Sequence, residues 1–187
     1  MNELRVVVVG TPSAGKSYFS RILRDKIKDA KVIEINDVAK EYHLFSKRKE
    51  RAGTKTVKLK ELERAIRKRT KDKGVWIIVG HLGVEMDFNA DMVVVVRSHL
   101  KELEKRMRRR RYTTSKMMGN LVSEAIDYSG VKATATCKEV YEISGREMER
   151  MAGYIKDRAR GTKKRIRFKE KRYLSELIPY IEKYGAV

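Results

Sequence analysis

Residues 10–17, with the sequence GTPSAGKS, form the pattern with the clearest chemistry in the chain. They match GxxxxGK[ST], in which backbone N–H groups surround phosphate oxygens, the lysine ammonium faces the β- and γ-phosphates, and the last hydroxyl ligates Mg²⁺. Glycine at Gly10 and Gly15 lets the backbone turn inward without a Cβ in the way, and the helix that follows adds its dipole. The pattern predicts binding of ATP or GTP, with Lys16 as the charged contact and Ser17 as the metal ligand.

The elements around this loop alternate between strand and helix patterns. Strands are predicted over residues 4–9, 31–35, 75–79, 92–96 and 139–143. The continuous aliphatic runs at residues 75–79 and 92–96 suit strands covered on both faces, as in a parallel sheet. Helical spacing predicts helices over residues 17–28, 58–71, 100–110, 116–133, 145–159 and 173–184. A further helix is expected to begin at Val38 with Asp37 as its cap. This order predicts an α/β domain with a parallel sheet.

The composition predicts one basic domain of 187 residues with a formal net charge of +20. The single cysteine excludes an internal disulfide, and no amino-terminal apolar segment suggests secretion, so a cytoplasmic setting is expected. No aliphatic run is long enough to span a membrane. Residues 47–73, 101–116 and 158–172 carry net charges of +9, +6 and +8. Such clusters either coat solvated helices or bind a polyanion such as RNA or an acidic protein tail.

The chain lacks the NKxD-like sequence of switch GTPases, which favours a small kinase. The basic stretch at residues 106–116 lies between two predicted helices and can act as a lid whose arginines neutralise a transferring phosphoryl group. Neighbouring helical positions face different directions, so these arginines cannot all point at one phosphate.

Several motifs occur in the order found in a known family. They are GTPSAGKS, NDVAKE at residues 36–41, VGHL at 79–82, VVVVR at 93–97 and RRY at 110–112, followed by Lys116 and Asn120. Over residues 4–160 the chain resembles the CINAP-type adenylate kinases, the archaeal and eukaryotic nuclear enzymes linked to maturation of the small ribosomal subunit. The resemblance implies a five-stranded parallel sheet of the adenylate-kinase type.

The resemblance also implies roles for individual residues. Those expected at ATP are Gly10, Ser13, Ala14, Gly15, Lys16, Ser17, Tyr18, Arg110 from the lid, and Arg146 near the adenine. His81 is expected to position metal or water, and with Lys16 and Arg110 it makes up the predicted catalytic set. Asp37 is expected either to cap a helix or to contact the acceptor. Residues 34–56 are the expected acceptor region, residues 109–119 the lid, and residues 158–187 a basic extension.

Three positions depart from the family pattern. Val79 stands two residues before His81, where the family usually has an acid, so Mg²⁺ is expected to rest on Ser17, waters and ATP oxygens. Residues 47–60 are basic where relatives are acidic. In the lid, Arg111 replaces a glycine.

The expected reaction is transfer of the γ-phosphate of MgATP to AMP, giving two ADP, by positioning and charge stabilisation. One alternative is an ATP-driven ribosome-assembly factor that binds a small-subunit ribosomal protein or pre-rRNA and has little kinase activity. Another is a kinase of related fold acting on dephospho-coenzyme A or shikimate. The sequence does not indicate the oligomeric state.

Overall fold

The computed structural model describes residues 3–49, 55–162 and 166–185. Its centre is a five-stranded sheet in the order β2-β5-β1-β6-β7, with every neighbouring pair parallel. A separate antiparallel pair joins β3 and β4. The strands are β1 (Leu4–Val9), β2 (Lys31–Glu34), β3 (Phe45–Lys49), β4 (Lys55–Val57), β5 (Val75–Val79), β6 (Met92–Val96) and β7 (Val140–Ile143).

Helices cover both faces of the sheet. They are α1 (Lys16–Lys26), α2 (Ile35–Glu41), α3 (Leu59–Arg69), α4 (Leu100–Arg109), α5 (Thr114–Ala125), α6 (Tyr128–Thr136), α7 (Met148–Ala159) and α8 (Ile178–Tyr184), with short 3₁₀ segments at His81–Glu85, Gly145–Glu147 and Leu174–Leu177. Within the described residues, no helix has both the length and the apolar character needed to cross a membrane.

The central strand β1 shows why the aliphatic runs are continuous. Val6 and Val8 pack into the core beneath α1, α4, α5 and α7, whereas Val7 and Val9 pack into a second core with α2 and α3. Successive side chains of a strand point to opposite faces, so a strand buried on both faces needs an apolar residue at every position. The five predicted strands and the parallel sheet are confirmed.

The predicted cap at Asp37 is wrong. Strand β2 runs directly into α2, whose first residue is Ile35, and Asp37 lies within its first turn. Burial of Ile35, Val38 and Ala39 places the start of the helix at the end of the strand. Asp37 instead pairs with Lys40, 3.1 Å away.

The single helix predicted over residues 116–133 is two helices, α5 and α6. Asp127 has a φ of 55° between them, and its side chain accepts a hydrogen bond from the backbone N–H of Gly130 at 3.1 Å. This local side-chain bond competes with helix continuation and starts α6. The β3–β4 pair was not predicted, because three consecutive basic residues in β3 leave no apolar alternation typical of a strand.

Candidate active site

The phosphate-loop pattern forms a tight turn between β1 and α1. Gly10 has a φ of +131°, and a Cβ there would lie 2.3 Å from the carbonyl oxygen of Val96. Gly15 has a φ of +118° and precedes the first residue of α1. The two glycines therefore occupy the positions where a side chain is excluded by backbone conformation and, at Gly10, also by contact.

Lys16 is held within the loop. Its Nζ donates hydrogen bonds to the carbonyl oxygens of Gly10 (2.7 Å) and Thr11 (2.9 Å). Burial lowers the pKa of Lys16 to about 8, although the carboxylates of Glu124 and Glu34 act in the opposite direction. A buried cation with carbonyl partners gains a stronger partner when an anion enters the loop.

Two arginines from the end of α4 reach the phosphate loop. Nη1 of Arg106 lies 3.2 Å from the carbonyl oxygen of Ser13, and Nη1 of Arg110 lies 3.3 Å from the Ser13 hydroxyl. The two are four residues apart and share a helix face. Arg108 turns away and pairs with Glu104. The prediction that the lid arginines divide between cleft and surface is confirmed; the sequence did not single out Arg106.

His81 follows β5 and lines the cleft. Burial is the main cause that lowers its pKa to about 4, and the positive charges of Lys16 and Lys116 lower the pKa further. The imidazole is therefore neutral at physiological pH. It can orient water or accept a hydrogen bond, but it is not a proton donor of imidazolium type.

These groups line one cleft of about 1420 Å³. Of the predicted site residues, those that line it are Ser13, Ala14, Gly15, Lys16, Ser17, Tyr18, His81 and Arg110. Gly10 is buried and does not line the cleft, but its carbonyl oxygen accepts a hydrogen bond from Nζ of Lys16, which does. The described residues that line the cleft do not include Asp37 or Arg146. Both are exposed, although Lys40, the partner of Asp37, and Gly145, next to Arg146, do line it.

The far side of the cleft is formed by α2 and by the β3–β4 pair. Its lining residues are Asn36, Lys40, Phe45, Thr56, Val57 and Leu59. They fall within or next to the predicted acceptor region, of which residues 50–54 lie outside the described part. The predicted lid, residues 109–119, consists of the end of α4, a short loop and the first half of α5. Of the basic extension, residues 163–165 and 186–187 also lie outside the described part.

A buried carboxylate that the sequence did not indicate supports the loop. Glu124 of α5 accepts hydrogen bonds from the Thr11 hydroxyl, from Nε of Arg97 (2.9 Å) and from the backbone N–H of Ser98 (3.0 Å). Arg97 and Glu124 are only 1% and 2% exposed. The pair ties the phosphate loop to α5 and to the end of β6. The sequence pattern of a helix does not distinguish a buried glutamate such as Glu124 from a solvent-exposed glutamate.

A second carboxylate lies in the cleft itself. Glu34, the last residue of β2, accepts a hydrogen bond from the Ser20 hydroxyl at 3.1 Å, and that hydroxyl also lies 3.4 Å from the carbonyl oxygen of Ser17. The described residues contain no group of three or more His, Cys, Asp and Glu side chains that could hold a metal by themselves. Mg²⁺ typically keeps several waters and uses one or two protein ligands with substrate phosphates, and the Ser17 hydroxyl fits that donor set.

Solved structures show the class of this fold. The chain is similar to a shikimate kinase from Bacteroides thetaiotaomicron, with a TM-score of 0.57, 13% identity, and coverage of 82% of this chain and 96% of that one. It is also similar to a gluconokinase from Sinorhizobium meliloti, with a TM-score of 0.55, 15% identity, and coverage of 85% and 95%. At these identities the likeness shows the fold alone, which is that of the P-loop kinases.

The chain belongs to the family described as AAA domain, whose model matches residues 6–127. It is 32% identical over 157 residues to a protein of Methanosarcina acetivorans, an alignment that covers 79% of this chain and 82% of that protein. It is 27% identical over 164 residues to one of Methanocaldococcus jannaschii, with coverage of 87% and 89%. Both relatives carry the name "Putative adenylate kinase". These findings and the cleft identify a kinase-like P-loop enzyme.

Proposed function

We propose that the protein is a nucleoside monophosphate kinase that transfers the γ-phosphate of MgATP to AMP. The observation that carries the proposal is the shared cleft, which is lined by the phosphate loop, by two arginines and by residues of α2 and the β3–β4 pair. The α2 and β3–β4 residues offer Lys40 for an anionic acceptor and Phe45 as an aromatic surface for a base. The names of the archaeal relatives favour adenylate over other acceptors.

The chain's own residues account for the transfer by position and charge. Lys16, Arg106 and Arg110 supply three cations on one side of the transferring group, where preorganised charge stabilises the negative transition state. The Ser17 hydroxyl would hold Mg²⁺, which would supply positive charge against the phosphates. His81, being neutral, orients water or substrate without adding a fourth positive charge.

A coupled assay with AMP, other nucleoside monophosphates, shikimate, gluconate and no acceptor tests the proposal. We expect ATP consumption to depend on AMP and to disappear in Lys16→Ala. Lys105→Ala is the matched control, because Lys105 is an exposed α4 lysine that lies outside the predicted lid and is not among the residues that line the cleft. Equal ATP consumption with and without AMP would refute the kinase proposal. Preference for shikimate or gluconate would instead indicate a kinase of related fold that acts on another small molecule.

The second candidate function is an ATP-dependent RNA-binding or ribosome-assembly factor of the CINAP type. The observation that favours it is the exposed basic surface of α3, which includes Lys60, Arg64 and Lys68. Phosphate contacts give a log–log salt slope of about −0.7 to −0.9 per contact. We expect binding to a structured rRNA fragment to fall steeply with salt in the parent and less steeply in Arg64→Ala/Lys68→Ala. Binding that is independent of salt would exclude this function.

A further inference from the structure

The carboxyl edge of β5 lacks the acid that the family pattern provides. Val79 is only 1% exposed and packs into the core beneath α1, so no carboxylate reaches the cleft from this position. Strands β2 and β5 are neighbours in the sheet, and Glu34 is the register partner of Val79. A carboxylate is therefore present one strand away, at the same level of the same sheet edge.

Glu34 is held close to the metal-ligating end of the phosphate loop. The Ser20 hydroxyl contacts both Glu34 Oε1 (3.1 Å) and the carbonyl oxygen of Ser17 (3.4 Å), so a single side chain connects the carboxylate to the residue expected to ligate Mg²⁺. Glu34 also lines the cleft together with Ser17 and His81. Its negative charge favours the charged form of Lys16, which places it within electrostatic range of the phosphate site.

The other carboxylate near Lys16 is already committed. Glu124 is 2% exposed and accepts bonds from Thr11, Arg97 and Ser98. It supports the loop from behind and does not line the cleft. Glu34 is thus the carboxylate among the lining residues that Mg²⁺, which commonly takes one or two carboxylates beside phosphate and water, can use.

We propose that Glu34 supplies, from β2, the carboxylate that holds the nucleotide-bound Mg²⁺ through a coordinating water, in place of the acid absent at Val79. The inference rests on the proposed function only in requiring that the chain binds ATP with a divalent cation. Ser20 is the positioning residue that fixes the carboxylate. If Glu34 served only to neutralise the charge of Lys16, its replacement would change nucleotide binding without metal and leave the metal affinity unchanged.

Electron paramagnetic resonance titration of Mn²⁺ into protein saturated with the non-hydrolysable ATP analogue adenylyl imidodiphosphate measures metal affinity without turnover. We expect Glu34→Gln to weaken Mn²⁺ binding by about 10- to 100-fold. Affinity for the analogue in EDTA should stay unchanged or rise, since a negative charge near the phosphates is removed. Glu61→Gln, an exposed carboxylate on α3, is the matched control and should match the parent.

The outcomes separate this inference from the proposed function. No binding of the analogue by the parent in EDTA or with Mn²⁺ would refute the nucleotide site itself. Normal analogue binding with parental Mn²⁺ affinity in Glu34→Gln would refute only the role of Glu34. If Glu34→Gln does not fold, Ser20→Ala takes its place in the Mn²⁺ titration, because alanine is well tolerated within a helix such as α1. Loss of the Ser20 anchor should weaken Mn²⁺ binding several-fold, and parental affinity in that variant would overturn the proposal.

Discussion

Replacement of Arg97 by methionine should strongly destabilise the protein and weaken its nucleotide site. The guanidinium lies among the carboxylates of Glu124, Asp127 and Glu142, and it is 1% exposed. Its Nε and Nη2 bond to the side chain and carbonyl oxygen of Glu124, whereas Nη1 contacts the other two carboxylates electrostatically. Methionine fills part of the space but leaves three carboxylates without their shared cation.

The structure sets the size of this effect. Removal of one partner from a buried ion pair costs about 3 to 5 kcal/mol, because the other charge stays buried without compensation. For a domain of this length, that loss lowers the midpoint of thermal unfolding by roughly 6 to 20 °C. Glu124→Gln should cost less than Arg97→Met, because Arg97 keeps Asp127 and Glu142 and glutamine keeps the shape of the side chain.

Urea unfolding of the parent, Arg97→Met and Glu124→Gln measures these free energies, and equilibrium binding of adenylyl imidodiphosphate measures the site. Both variants should lose nucleotide affinity, since Glu124 holds Thr11 of the phosphate loop. Arg172→Met is the matched control: Arg172 is 81% exposed and pairs with Glu170 at the surface, so its unfolding midpoint should equal that of the parent. Stability of Arg97→Met within about 1 kcal/mol of the parent would refute the reasoning, as would a larger loss in Glu124→Gln.

Three further predictions concern the cleft. Gly10→Ala should abolish nucleotide binding, because its Cβ would meet the carbonyl oxygen of Val96. Gly153→Ala in α7, where the Cβ has open space, is the control and should raise stability by about 0.5 to 1 kcal/mol. Parental nucleotide binding in Gly10→Ala, or loss of binding in Gly153→Ala, would contradict the loop geometry. Bound ATP should raise the pKa of Lys16, because phosphate charge stabilises its ammonium form. Titration calorimetry in two buffers at a pH of about 9 should therefore show proton uptake on ATP binding, and ATP affinity should fall as the pH rises above about 8. Absence of proton uptake would contradict a lowered pKa of Lys16 in the protein without ATP. Arg106→Ala should lower kcat/KM by about 10²-fold or more in the coupled assay. The same effect in Arg108→Ala, whose guanidinium pairs with Glu104, would contradict the division of the arginines between cleft and surface.

The sequence predicted the parts of the fold and site that depend on local patterns. The three central strands β1, β5 and β6 are aliphatic runs because both of their faces are buried, and the phosphate loop is a contiguous motif whose glycines meet backbone constraints. Residues brought together by the sheet were harder to predict. Glu34 and Glu124 lie 90 positions apart, and neither differs in sequence from a surface carboxylate. The acceptor contact of Asp37 and the adenine contact of Arg146 stay predictions, and neither residue is among the described residues that line the cleft.

The buried cations of the cleft and the exposed cations elsewhere on the chain contribute differently to nucleotide binding. Burial lowers the pKa of Lys16 and of His81, so a positive charge on either side chain carries a desolvation cost, which the Glu124 carboxylate offsets only in part at Lys16. Phosphate charge entering the cleft stabilises the Lys16 cation at contact distance. Charges on exposed α3 residues such as Arg64 and Lys68 act through solvent, where screening extends about 8 Å at physiological salt. These two exposed cations therefore contribute little to holding one nucleotide, and we expect their removal to leave ATP affinity the same. In the RNA-binding function proposed above, the same removal would reduce the salt dependence of RNA binding.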